Sequence, residues 1–130
     1  MIDFYIDSHS GVPPYLQIAQ QVRRAVKLGL LGEGDQLPTV KEVVSRLAIN
    51  PNTVSKAYRE LEHEGLVEGR TGVGTFVARS TDAQIFTAIA PLRHDLGTWI
   101  ENARRAGLDD ESIEALMREC FRSAAGAKIT

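Results

Sequence analysis

The stretch "QLPTVKEVVSRLAINPNTVSKAYREL", Gln36 to Leu61, constrains the fold more than any other part of the chain, because it writes two short amphipathic helices with almost no room between them. Thr39 and Glu42 form a T-x-x-E capping box, so one helix starts just after Pro38. Its apolar positions Val40, Val43, Val44 and Leu47 follow the i, i+3, i+4, i+7 pattern, which leaves Lys41, Glu42, Ser45 and Arg46 in water. The pattern stops at Ala48–Ile49. Asn50 then supplies a capping side chain and Pro51 a backbone angle pre-set for a first helical position. Two helices joined by about three residues fit a helix-turn-helix, and equally a plain αα-hairpin.

The flanks add detail. Upstream, Ile2–Ile6 reads as a β-like start, and Ser10–Pro14 as a Gly/Pro-rich approach. A helix over roughly 14–30 follows, with apolar residues at Tyr15, Ile18, Val22, Ala25 or Val26, and Leu30. Downstream, "GLVEGRTGVGTFVAR" holds two β-prone runs, Leu66–Glu68 and Thr75–Ala78, around Gly69, Gly72 and Gly74. A glycine-rich hairpin is expected. Directly behind a helix-turn-helix such a hairpin is a wing, here 66–79.

Composition shifts at Ser80–Asp82, where Thr81 or Asp82 is a candidate cap. The expected domains are therefore 1–79 and 80–130. In the second region Ile85, Ile89, Leu92, Leu96, Trp99 or Ile100, and Ala103 alternate spacings of four and three, drawing a narrow seam along one helix. Pro91 lies within it and should kink the helix or leave one hydrogen bond unmade. Gly107 ends that helix. Asp109 caps another, with Asp110 and Glu111 at the favourable end of the helix dipole and a stripe of Ile113, Leu116, Met117, Cys120 and Phe121. Two helices alone must bury these stripes against the first domain or against a second copy.

A chain of 130 residues with 43% hydrophobic and 25% charged residues reads as globular. The longest apolar runs fall far short of the roughly 20 residues needed to span a bilayer. Nor does Met1–Asp7 look like a secretory leader, so a cytoplasmic location is expected. Cys120 excludes an internal disulfide and is expected as a buried small hydrophobe. A net charge of −2 gives no overall basic signal, so any nucleic-acid reading must rest on a local positive face.

The helix from Pro51 has such a face. At 100° per residue Val54, Ala57, Tyr58 and Leu61 gather on one side, and Asn52, Lys56, Arg59 and His63 almost opposite, flanked by Thr53 and Ser55. No acid precedes Glu60, whereas Glu60, Glu62 and Glu64 crowd the C-terminal half, which is expected to stay in water. A recognition helix presents its N-terminal turns to the major groove, so the gradient points the right way. Asn can pair with adenine and Lys with guanine acceptors, while Thr and Ser suit phosphate oxygens. At the wing tip, Arg70 and Gly72 could approach a minor groove or its phosphates.

These residues carry a resemblance. "GDQLPTVKEVVSRLAINPNTVSKAYRELEHEGLVEGRTGVGTFV", Gly34 to Val77, with "PPYLQIAQQVRRAVKLG" before it, resembles the winged helix-turn-helix of GntR-family bacterial transcription regulators over about half the chain. The L-P-x-x-[KR]-E, N-T-V-x-x-A-Y-x-x-L, E-G-L-V and G-x-G-T-F-V elements are together highly specific. The short tail is similar to the YtrA-type subfamily, in which it dimerises. The resemblance implies operator contacts at Thr39 and Lys41, at Asn50, Asn52, Thr53, Ser55 and Lys56, and at Gly72. Arg59 and Arg70 join them from the helical wheel and the wing. It further implies dimerisation through Ile85, Ile89, Leu92, Leu96, Trp99, Ile100, Ala103, Ile113, Leu116, Met117 and Phe121. Three departures stand out: Lys41 where many members carry Arg, Ala48 where a turn glycine is frequent, and Pro51 in place of a contacting side chain. With alanine at 48, a turn that avoids positive φ is expected.

Other constellations point nowhere. "DSHS", Asp7 to Ser10, has the residue types of a hydrolase triad, but neighbours on an extended segment point to alternating sides. His9, His63 and His94 lack a second ligand at metal spacing, and "GVGTF" lacks the Gly-Lys-Ser/Thr ending of a phosphate loop. No metal, cofactor or enzymatic activity is expected. The expectation is a mainly α fold with a small β-hairpin wing: a winged helix-turn-helix and a two-helix dimerisation tail, acting as a homodimeric repressor on a pseudo-palindromic operator. Trp99 leaves room for a small-molecule effector at the dimer interface. The rival is a winged helix that docks protein, which would not need a basic N-terminal half on its third helix.

Overall fold

The computed structural model describes residues 2–78 and 83–129, with side chains described over 2–78 and 87–124. The elements are α1 (Pro14–Lys27), α2 (Val40–Leu47), α3 (Pro51–His63), β1 (Val67–Arg70), β2 (Gly74–Val77), α4 (Ala83–Arg105) and α5 (Asp110–Ile129). The chain divides into two compact units, one up to Ile89 and one from Ala90 on. The candidate caps Thr81 and Asp82 lie outside the described residues.

In the first unit α3 packs against α1, α2 and β1. Ile18, Ala19 and Val22 of α1 meet Val54, Ala57 and Leu61 of α3 in a single core, all with 0% exposure. Val43 of α2 and Val67 and Val77 of the hairpin belong to the same core. Burying side chains of this size stabilises by about 1.5–3 kcal/mol each before conformational entropy is subtracted.

Helix α1 is shorter than its periodicity suggests. Gly29 takes φ +72°, with Leu30 N–H donating to the Ala25 carbonyl (2.8 Å) and Gly29 N–H to that of Val26 (3.1 Å). That left-handed cap swings the chain out of helical register. The expected core residue Leu30 is therefore 45% exposed, and Leu31 is buried in its place.

The start of the chain is no strand. Tyr5 N–H donates to Gln21 Oε1 at 3.1 Å and the Tyr5 carbonyl accepts from Gln21 Nε2 at 2.8 Å. Gln17 treats Asp7 alike and also donates to the Val12 carbonyl at 2.9 Å. Side-chain amides of α1 thus supply the pairing that a neighbouring strand would give, and Phe4 is anchored in the core.

The hairpin is antiparallel, pairing Val67 with Val77 and Arg70 with Gly74. A third segment flanks it: Leu37 N–H donates to the Thr75 carbonyl and Val77 N–H to that of Asp35, both at 2.8 Å. The chain leading into α2 therefore fixes the wing's position. Gly74 takes φ +144°, a conformation that side-chain-bearing residues rarely adopt, and a Cβ there would also have to displace the end of the Gln36 side chain, 2.5 Å away.

The turn between α2 and α3 corrects the sequence expectation. Ala48 sits at φ +54°, ψ +44°, in the left-handed region. The cap geometry of a helix-turn-helix is retained although alanine costs about 1–2 kcal/mol there.

Helix α4 runs through Pro91 unbroken, and the ring nitrogen leaves one helical bond unmade. From Ala90 on, Ile113 is the one described apolar side chain that is buried, at 4% exposure. Cys120, expected inside, is exposed within the chain.

Candidate nucleic-acid interface

Helix α3 has the two faces its spacing requires. Val54, Ala57, Tyr58 and Leu61 are buried, Asn52, Lys56, Arg59 and His63 are exposed, and Thr53 and Ser55 are half-buried at the border. Its first turn carries no acid, so the positive end of the helix dipole is left uncompensated.

Two candidate contacts are already committed to capping. Asn50 Oδ1 accepts from Asn52 N–H at 2.8 Å. The Thr39 hydroxyl accepts from Glu42 N–H and donates to Glu42 Oε1, both at 3.1 Å, while Thr39 N–H donates to the same carboxylate. These residues shape the ends of α3 and α2 first, and only the remaining amide and hydroxyl valences face outward.

The cations differ in their surroundings. Lys41 is exposed on an open groove with Asp3, Glu42, Ser45 and Arg46, and Arg46 pairs with Asp3 at 2.9 Å. Arg59 shares a shallow depression with Lys56, Glu60, His63 and Glu64. Lys56 bends back so that its Nζ lies 4.0 Å from the centre of the Tyr15 ring. On the wing, Arg70 is bonded to Glu68 at 2.8 Å and stacks 4.2 Å above the Phe76 ring. Gly72, at φ +75°, has open space around it, so its backbone forms the bare tip. Thr39, Arg70 and Gly72 line one groove between the start of α2 and the wing.

Strand alternation in the sequence carries a signal for two partners of these cations that the expected site omits. Glu68 and Arg70 lie two apart on one strand face, and Phe76 stands opposite Glu68 in the register. Tyr15 left no signal, since nothing in the sequence places α1 beside Lys56.

The acids of α3 are not simply solvated. Arg23 of α1 makes a two-pronged pair with Glu64 (2.8 and 2.9 Å), and Glu60 lies 4.0 Å away. The bond to Glu64 raises the Arg23 pKa, and the charges of Glu64 and Glu60 add to the rise. Glu62 accepts from Gly69 N–H of the wing at 3.2 Å. The C-terminal half of α3 is thus a bracket onto α1 and β1, and the N-terminal half is left to face outward.

The candidate dimer residues lie on α4 and α5. Leu92, Leu96, Trp99, Leu116 and Phe121 are exposed, Phe121 by 77%. Ile89, Ile100, Ala103 and Met117 are half-buried, Ile113 is buried, and the side chain of Ile85 lies outside the described residues. His9, His63 and His94 are all exposed. Among the described residues no group of His, Cys, Asp and Glu is placed to hold a metal ion, and no helix is long and apolar enough to cross a membrane.

Comparison with known proteins accords with this geometry. The model of the bacterial regulatory proteins of the gntR family matches residues 14–77, α1 through the wing. The HTH-type transcriptional repressor YtrA of Bacillus subtilis is 35% identical over 124 residues, 95% of each chain, so the likeness includes the tail. Among solved structures, YtrA from Sulfolobus acidocaldarius, a GntR-family transcription factor, superposes with a TM-score of 0.54 at 27% identity, covering 92% of this chain and 97% of that one. The DNA-binding domain of AraR in complex with operator ORR3 superposes with a TM-score of 0.50 at 26% identity, covering 59% of this chain and 93% of that one. With its helix-turn-helix, wing and short helical tail, the chain belongs to the GntR family and is a DNA-binding transcription regulator.

Proposed function

We propose that the protein is a cytoplasmic repressor that binds a pseudo-palindromic operator as a homodimer, with the N-terminal half of α3 in the major groove and the wing tip against the neighbouring backbone. The observation that carries this reading is the outward face of α3, where Asn52, Lys56 and Arg59 are exposed with no acid in the first turn. Asn52 is suited to read adenine, Thr53, Ser55 and Lys41 to hold phosphates, and the outward valences of Asn50 and Thr39 to fix register. Arg59 and Arg70 contribute charge at the rim, and Gly72 allows close backbone approach. Promoter occlusion follows from occupancy alone.

Dimerisation is supported by the exposed apolar residues of α4 and α5, which the unit from Ala90 on does not cover by itself. One small domain makes few phosphate contacts, and two tethered copies gain effective concentration on two half-sites. An effector of small size is proposed to bind beside Trp99 where the two copies meet.

The test is the salt dependence of binding to duplexes carrying inverted repeats from upstream of the protein's own gene. Specific affinity should fall steeply with salt, and Lys56→Ala should reduce the slope by about one unit. Wild-type affinity and slope in that variant would remove Lys56 from the interface. No preference for any duplex by the wild type would favour a protein-docking role.

A further inference from the structure

We infer that Tyr15 is a positioning residue of the DNA interface: its ring holds the Lys56 ammonium toward α1, so that Lys56 serves a backbone phosphate flanking the groove and does not read a base. The inference rests on the DNA-binding reading above and assigns one of its residues a narrower role. Lys56 leaves α3 on its outward face, from which an extended side chain would reach base edges. Instead its Nζ lies 4.0 Å above the centre of the Tyr15 ring.

Tyr15 is itself fixed. It is the second residue of α1, half-buried and packed against the core that α1 and α3 share. A cation over an aromatic face is held by the ring quadrupole while its charge stays uncompensated and the N–H donors turned away from the ring stay available to another partner, whereas a carboxylate would neutralise it. The arrangement therefore orders a flexible side chain without neutralising it. Arg70, by contrast, spends its charge on Glu68. Ordering in advance lowers the conformational cost of making the phosphate contact.

The experiment uses the full-length protein, a duplex selected by it from a random-sequence pool, and a mixed-sequence duplex of equal length. Isotope-labelled protein should show the Lys56 Hε protons shifted upfield by the Tyr15 ring current, both free and bound to the selected duplex. Loss of that shift on binding overturns the inference, and this readout needs no variant. Tyr15→Phe should leave affinity and ring-current shift unchanged. Tyr15→Leu, checked for native circular dichroism, should weaken binding several-fold on both duplexes alike, with a shallower salt slope and an unchanged specificity ratio. A Tyr15→Phe loss as large as that of Tyr15→Leu would mean that the hydroxyl itself touches DNA and would overturn the positioning role. So would a change of base preference at one operator position in Lys56→Ala. If the wild type selects no sequence at all, the DNA-binding reading itself fails, a result distinct from all of these.

Discussion

The Tyr58 hydroxyl donates to the Pro38 carbonyl at 2.6 Å, tying the buried side of the recognition helix to the residue just before the cap of α2. Burial, and to a lesser extent the charge of Glu42, raises the Tyr58 pKa above the usual tyrosine range, so the hydroxyl remains a donor. One buried bond thereby sets the start of α2 relative to the middle of α3, the two parts proposed above to dock on one stretch of duplex.

Tyr58→Phe removes that donor and leaves a buried carbonyl without its partner. The expected cost is roughly 1–3 kcal/mol, read from the urea midpoint at unchanged m-value. Because Tyr58 faces inward, the salt slope of DNA binding should not change. A changed slope would mean that the orientation of α2 had been lost as well.

Ala48→Gly should stabilise the fold. Alanine at φ +54° is strained by about 1–2 kcal/mol, and the added freedom of glycine in the unfolded chain returns about 0.4–1 kcal/mol of that. A net gain between about 0 and about 1.6 kcal/mol is expected by denaturant or thermal unfolding. A loss of stability would show that the alanine methyl makes a contact worth more than the strain.

Asp109 caps α5 by accepting from Ser112 N–H at 2.8 Å. Hydrogen bonding to Ser112 lowers its pKa. A folded-state pKa below the unfolded one contributes stability that is present above the unfolded value, about 3.9, and is lost as pH falls through the folded value. Carbon-detected NMR titration should therefore place the Asp109 midpoint below the ordinary aspartate value of about 3.9. Asp109→Asn should keep the cap and lose this part of the pH dependence, and Asp109→Ala should lose both. An Asp109 midpoint at the ordinary value would remove the argument.

Leu96, half exposed on α4, belongs to the proposed dimer seam. Leu96→Glu places a charge in an interface that expels water, so sedimentation at micromolar concentration should show monomer where the wild type shows dimer. Operator affinity should fall by 10²-fold or more as the second half-site is lost. Binding to a single half-site should be nearly unaffected, since α3 is untouched. A Leu96→Glu protein that stays dimeric would move the interface off this seam.

The sequence by itself determined each helix that announces its ends or its stripe. The T-x-x-E box of α2, the Asn50-Pro51 start of α3 and the opposed faces of α3 are local chemistry, set by side chains within one or two turns, so they are legible without a partner. The wing was legible for the same reason, as two β-prone runs around glycines. What only the tertiary structure decided depends on groups far apart in the chain. Gln21 stands in for a strand beside Tyr5, Arg23 turns the acids of α3 into a bracket, and Gly34–Leu37 flanks β2. At Ala48 and at Leu30 local preference gives way to packing. Ala48 accepts a strained angle since the packing of α2 on α3 fixes the turn, and Leu30 loses its place in the core because the cap at Gly29 rotates Leu31 into it. Lys56 shows the division most plainly. Its place on the outward face follows from a spacing of 100° per residue, whereas its turn toward Tyr15 exists only because folding brings α1 alongside α3.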